Sequence, residues 1–440
     1  DFNGNGKWDD YVEPIELAGY FQTFYELPWM VINAGIRIDA VNYNTKIWSD
    51  PHGNYSPTKP WFWADCGQDT LCSGHESDLS YIQVGDIYEH QADVGEADGI
   101  YNYGENTYDH FDNKEPQVFF KYSDWLYKIS PRLGISHILT DGATFTFNYG
   151  IYYQTPVYEH IYLNTNRQED PQEAITESEG FIGNATMVAA RTQAYEFGFN
   201  VQVGRNWAYS IAGWVKDMDQ LATAKTYRSM LGEYQVAANG DYGVAKGFDL
   251  SLESRGRLIN TTIQYTYSVA KANGEYDKAA FGNQVVDAPL QEFLMPFDRP
   301  HDLTVQLYCS ELPFGVHASL VGFYQSGVPY TGTYEKSDGE PVSDVYNKNH
   351  KRAPAFKQID ISFSKYITLK NMKLSLGLNV FNLLDISNVV DVYPETGDPD
   401  KRSEYYTDGK GGDVDLPRNG GTLSNSFYDT PWHYGTPREI

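Results

Sequence analysis

Thr144-Phe145-Thr146-Phe147-Asn148-Tyr149-Gly150-Ile151-Tyr152-Tyr153 sets Phe145, Phe147, Tyr149, Ile151 and Tyr153 at every second position, with Thr144, Thr146, Asn148 and Gly150 between them. A period of two puts the apolar set on one face of a strand and the polar set on the other. The pattern recurs along the chain. Tyr195, Phe197, Phe199, Val201 and Val203 alternate with Glu196, Gly198, Asn200 and Gln202, and Met372, Leu374, Leu376, Leu378 and Val380 with Lys373, Ser375, Gly377 and Asn379.

Extended over the chain, the alternation predicts twelve strands, at 17–27, 29–43, 124–139, 142–154, 190–204, 206–219, 241–255, 257–272, 299–310, 313–328, 355–366 and 371–382. Their connections alternate in length. Short turns such as Leu27-Pro28-Trp29, Thr140-Asp141-Gly142 and Gly204-Arg205-Asn206 carry the Gly, Pro, Asn and Asp chemistry of hairpins. Between hairpins run polar segments of roughly 80, 35, 21, 26, 26 and 47 residues, the short–long rhythm of an outer-membrane barrel with periplasmic turns and extracellular loops. A soluble sandwich has shorter strands and a turn every ~8–12 residues. Tyr20, Tyr25, Trp29, Trp125, Tyr127, Tyr153 and Trp207 near strand ends suit interfacial girdles.

Composition narrows the classes further. The 440 residues hold 33 Lys+Arg against 59 Asp+Glu, a net charge of −26, which argues against a nucleic-acid partner. With mean hydropathy −0.52, no run approaches the ~18 apolar residues of a spanning helix. Aromatics at 15% argue against disorder. Segments 44–123, 155–189 and 383–429 carry net charges of −10, −5 and −6, so the acidity sits in the loops and not in the strands.

Beside this reading stands a resemblance. Lys128-Ile129-Ser130-Pro131-Arg132-Leu133-Gly134 leading to Asn148-Tyr149-Gly150-Ile151-Tyr152-Tyr153-Gln154-Thr155-Pro156, Phe297-Asp298-Arg299-Pro300-His301, Ser326-Gly327-Val328-Pro329-Tyr330-Thr331 and Asn379-Val380-Phe381-Asn382-Leu383-Leu384-Asp385 together resemble the C-terminal part of TonB-dependent outer-membrane receptors. Tyr434-Gly435-Thr436-Pro437-Arg438 looks like the start of that family's last strand. The resemblance implies an all-β, antiparallel transmembrane β-barrel with about 12 visible strands of 22 and long extracellular loops. On that reading 1–16 is an extracellular loop segment, and 17–440 is a partial barrel without plug domain or energy-coupling box. It also implies active uptake of a scarce nutrient (siderophore, cobalamin, oligosaccharide or peptide), captured by the acidic loops. Partners are a TonB-type coupling protein reached through the missing N-terminal region, outer-membrane lipid and the nutrient; the location is the outer membrane of a Gram-negative bacterium. A passive porin-like or adhesive barrel is the alternative, and a secreted carbohydrate-binding all-β protein or glycosidase a third.

Candidate sites follow from residue chemistry. Asp1, Asn3, Asn5, Lys7 (through its carbonyl) and Asp9, with Gly6 at the sharp turn, resemble a calcium loop, although Val12 stands where the bidentate acid belongs. An ordinary Asn- and Gly-rich turn is the competing reading; no cofactor is required, calcium being the possible one, and zinc at Cys66 and Cys72 is disfavoured because only His75 lies near and no second Cys pair exists. Cys66 and Cys72 in a Trp-rich loop form either a small disulfide or two free thiols, while Cys309 alternates with apolar neighbours as strand packing. Trp61, Trp63, Tyr101, Tyr103, Tyr108, Tyr405 and Tyr406 are loop aromatics that either meet a ligand or pack the loops. No catalytic constellation is present; Asp249, Glu253 and Asp360 sit at polar strand positions that face a wet lumen, and His301 opens a strand at the interface.

Overall fold

Twelve long strands pair in chain order as one antiparallel meander: β1 Ile15–Leu27, β2 Met30–Asn42, β3 Leu126–Thr140, β4 Ala143–Gln154, β5 Ala190–Val203, β6 Trp207–Ser229, β7 Gly232–Arg255, β8 Ile259–Ala272, β9 His301–Leu312, β10 Val316–Gln325, β11 Phe356–Leu369 and β12 Met372–Val380. The computed structural model describes residues 13–50, 52–53, 62–63, 81–84, 87–90, 117–168, 181–229, 232–274, 291–337, 339–370, 372–403, 405 and 433–439. A sheet crossing hydrocarbon must satisfy its backbone groups within itself, and the neighbour-to-neighbour ladder does so for every strand except at the outer edges of β1 and β12. All twelve expected strands are present. β1 starts at Ile15, two residues before the expected boundary.

Register carries the apolar face unbroken from strand to strand. Phe21 lies opposite Ile36, Ile32 opposite Ile135, Phe147 opposite Phe197, Phe199 opposite Ile211, Leu250 opposite Tyr265, Leu307 opposite Leu320 and Phe363 opposite Leu378. Eight of these fourteen side chains are exposed and the other six half-buried, none being shut away from the surroundings, as lipid contacts require. Cross-strand rings tie the face together, with centroids 5.2 Å apart for Phe145 and Phe199 and 5.0 Å for Tyr149 and Tyr195. Gly213 lets the Phe197 ring lie on the backbone: a Cβ there would stand 2.6 Å from Phe197 Cζ.

One expected loop is a strand pair instead. Residues 220–240, read as a polar connection, continue β6 and β7 to 23 and 24 residues, paired as far as Ser229 and Gly232. The register shifts between Met218 and Leu221 around Gln220, which adopts φ +58°. That bulge separates the lipid-level ladder from an arm projecting beyond it.

The turn at Pro313-Phe314-Gly315 holds Phe314 at φ +68°, a costly angle for an aromatic residue. Past β12, Phe381 and Glu439 bond each other's backbone (2.8 and 3.2 Å) and Val389 bridges Tyr434, so the Tyr434–Arg438 segment runs back along 381–389 by isolated bridges and forms no strand among the described residues.

Most fully buried apolar side chains lie outside the wall. Val41, Tyr43, Ile47, Ile161, Ala185, Met187 and Ala237 form one cluster, and Trp48, Ile182 and Val236 a second beside it. Of these, only Val41, Val236 and Ala237 belong to the long strands.

Candidate functional site

The inward positions of the wall are polar, because every residue between two lipid-facing ones points to the lumen. Arg37, Lys128 and Arg132 neighbour one another on β2 and β3, where Arg37 pairs with Asp39 at 2.8 Å and the Arg132 guanidinium lies 4.7 Å from the Tyr152 ring centre. Acidic groups occupy the next strands: Glu196 on β5, Asp249 and Glu253 on β7, Asp302 on β9 and Asp360 on β11.

Three of these carboxylates are hydrogen-bonded. Trp214 Nε1 and Thr266 Oγ1 donate to Asp249 (2.9 and 2.6 Å), Gln325 Nε2 donates to Asp302 (2.8 Å), and Gln358 Nε2 and the Asn382 amide donate to Asp360 (both 2.8 Å). A carboxylate held by neutral donors is a fixed wall charge. The sequence expectation for Asp249 and Asp360, polar groups facing the lumen, agrees with this geometry.

Above the first strands, three loops are sewn into one body. The short helix α1, Tyr158–Tyr162, follows β4; its Ile161 is buried, and Tyr162 donates to Tyr43 O at 2.7 Å. Burial drives the Tyr43 phenol pKa upward and pushes that of Tyr162 up to about 12. Gly183 donates to Leu163 O (2.7 Å), and a Cβ on it would lie 2.5 Å from Ile161 O, so the chain passes only as glycine. Ile182 then pairs in parallel with Val236 of the projecting arm. Asn239 clamps Val188 through both backbone groups (2.8 Å each) and also donates to Gln220 O at the bulge (2.8 Å).

A second assembly joins the connections after β8, β10 and β12. Asp298 is 1% exposed by side chain; it accepts the Ala270 amide at 2.6 Å and pairs with Arg352. Arg352 also donates to Asp298 O (2.9 Å) and Gly327 O (3.1 Å). A Cβ on Gly327 would sit 1.7 Å from Ala353 O. Buried Asn382 donates to Ile386 O (3.0 Å) and Thr436 O (3.3 Å) and accepts the Ile386 amide (3.0 Å). Tyr434 donates to Asp400 (2.7 Å); burial, then this bond, pushes its phenol up to about 12. The Phe297–His301, Ser326–Thr331 and Asn379–Asp385 motifs are thus the fasteners of the loops.

Of the sequence candidates, Trp63 lies in the strand Phe62–Trp63, paired with Gln117–Val118. Tyr405 is half-buried, with Cδ2 3.9 Å from where a Gly339 Cβ would stand. Trp61, Tyr101, Tyr103, Tyr108, Tyr406, Cys66, Cys72 and the calcium candidates Asp1, Asn3, Asn5, Lys7 and Asp9 lie outside the described residues. Among the described residues no group of three or more His, Cys, Asp or Glu side chains could hold a metal. His301 opens β9 on the outer face, where its Nδ1 lies 2.8 Å from Tyr265 OH, and Cys309 is a free thiol on the same face. The buried Tyr43 and the Asp298–Arg352 pair escaped the residue-by-residue reading of sites, although Asp298 stood within a quoted motif.

The family model described as TonB dependent receptor-like, beta-barrel, matches residues 3–383. No curated protein sequence matches. Among solved structures, the chain is similar to the FrpB iron transporter from Neisseria meningitidis (11% identity, TM-score 0.49, 85% of this chain and 41% of that one). It is also similar to the ferric-catecholate import receptor Fiu from E. coli K12 (13%, 0.45, 86% and 41%). The ferric yersiniabactin uptake receptor FyuA from Yersinia pestis is a third (13%, 0.44, 85% and 41%). The chain spans about two fifths of the length of these structures.

Proposed function

The chain belongs to the TonB-dependent receptor β-barrel family, and from that membership we propose that it forms the wall and mouth of an energy-coupled importer for a scarce small-molecule nutrient. The family is one of outer-membrane receptors of Gram-negative bacteria, and the chain is not an enzyme. The observation that carries the proposal is the family match over residues 3–383. The twelve-strand meander, with a lipid-facing outer face, a polar inner face and loops packed at one end, supports it. The nutrient is captured by the acidic loops and passes along the lumen, while the whole protein engages a TonB-type partner.

The test uses the full-length receptor in cells, with a panel of labelled cyanocobalamin, ferric siderophores, oligosaccharides and peptides. Accumulation of one panel member is expected, abolished by a protonophore or by loss of the coupling protein. Uptake that persists without inner-membrane energy, and stops at equilibrium, would make the barrel a passive pore. The turn of Asp1, Asn3, Asn5, Lys7 and Asp9 belongs to the same proposal as a calcium loop: calcium protects it from protease and a chelator exposes it. A cleavage pattern indifferent to calcium removes that part alone.

A further inference from the structure

The outer wall is almost free of charge, and its exceptions are mostly basic. Among the described side chains at outward positions of the spanning ladder, the charged ones are Arg191, Asp217, Asp219, Lys246, Lys271, Lys357 and Lys365. That excess of cations runs against a chain with 59 acidic and 33 basic residues. Arg191 is paired with Asp219. The four lysines have no hydrogen bond or ion pair from their ammonium groups among the described residues.

Two of them are neighbours. Lys246 lies opposite Val269 and Lys271 opposite Val244, so the two occupy diagonal positions on β7 and β8, about 7–8 Å apart on one face. Both are exposed and lie toward the loop end of their strands. Directly membrane-ward stands an aromatic group: Phe248 and Tyr267 with ring centres 5.6 Å apart, and Tyr267 and His301 at 5.4 Å. Along a strand Lys246 stands about 7 Å above Phe248, and Lys271 about 13 Å above Tyr267. Asp217 is diagonal to Lys246 on the other side and makes no ion pair with it among the described residues.

We infer that Lys246 and Lys271 form a binding site for the phosphate headgroup of a membrane lipid, its acyl chains lying on the aromatic surface of Phe248 and Tyr267. Amphipathic rings sit at headgroup depth, and lysines just beyond them meet the phosphate layer. The loops cannot substitute for this surface, because their acidity repels phosphate. The inference rests on the barrel's lying in the outer membrane. Fractionation of the wild-type protein tests that reading separately.

The experiment is native mass spectrometry of the full-length receptor in detergent, titrated with bisphosphorylated lipid A and, separately, with dephosphorylated lipid A and inorganic phosphate. Wild type is expected to retain the bisphosphorylated lipid, and the Lys246→Gln, Lys271→Gln double variant to bind it roughly 30-fold more weakly, at about 1 kcal/mol per lysine. Lys246→Arg, Lys271→Arg keeps the charges and should keep the lipid, which separates charge loss from misfolding. Equal binding by the Gln variant, loss in the Arg variant, or equal affinity of wild type for the dephosphorylated lipid would overturn the site. Inorganic phosphate alone binding as tightly would overturn the lipid as occupant.

Discussion

Replacing Arg352 by Met removes the cation from a carboxylate that has almost no water. Asp298 is 1% exposed, while Arg352 is 30% exposed by side chain. Breaking a fully buried ion pair costs about 3–5 kcal/mol, because the remaining charge stays desolvated. The partial exposure of Arg352 screens the pair and lowers the expected cost to about 2–4 kcal/mol. Two further bonds from Arg352, to Asp298 O and Gly327 O, disappear with it. The effect is local, so global melting is the wrong assay; hydrogen exchange resolved by peptide is the right one. Amides of Ala270, Asp298 and Ala353, bonded to Asp298 Oδ1, Met295 O and Val328 O, should exchange roughly 30- to 700-fold faster. The β4–β5 ladder serves as the unchanged internal standard. Acceleration below about fivefold, ~1 kcal/mol, would refute the reasoning, since the pair would then behave as an exposed one. Combining Arg352→Met with Asp298→Asn should recover part of the loss, because the uncompensated charge is gone.

Gly183→Ala should push the 181–189 segment off α1 at a cost of about 1–3 kcal/mol, read as faster exchange in 158–163 and 181–189 with the wall unchanged. Burial raises the Asp241 pKa against hydrogen bonds from Thr223 and Asn273, so its folded value lies above its unfolded one. The stability it contributes is therefore present at low pH and lost as pH rises through the folded value. Asp241→Asn should remove that pH dependence and protect the arm at 220–240 better at pH 7, seen by limited proteolysis across pH 4–7. Tyr434, raised to about 12, reverses no sign: its contribution is present below pH 10 and fades as pH climbs through about 12, and Tyr434→Phe should flatten that alkaline step in the exchange of 433–439.

The wall was legible because lipid on one side and water on the other impose alternation, as at Phe145–Tyr153. The arm at 220–240 was not. Ala222, Thr223, Ala224, Ala237 and Ala238 are small, and their pairing is driven by the partner strand and by Asn239, leaving no apolar period. The loop body was equally hidden, because Tyr43, Ile161, Met187 and Ala237 come from four distant segments that no local pattern links. Asp298, Gly327 and Asn382 were visible only as motif letters. Their reasons are a buried ion pair, a backbone approach too close for a Cβ, and an amide that bonds three backbone groups.

The core under Tyr43 and Met187 hides its apolar groups from water, whereas the outer face of the folded wall lies against hydrocarbon. Only the first kind of contact draws its strength from water and weakens on cooling. The two halves of the molecule therefore answer temperature differently. In the cold the mouth should loosen while the wall holds, so the same barrel would present a softer entrance to a psychrophilic habitat than to a warm one.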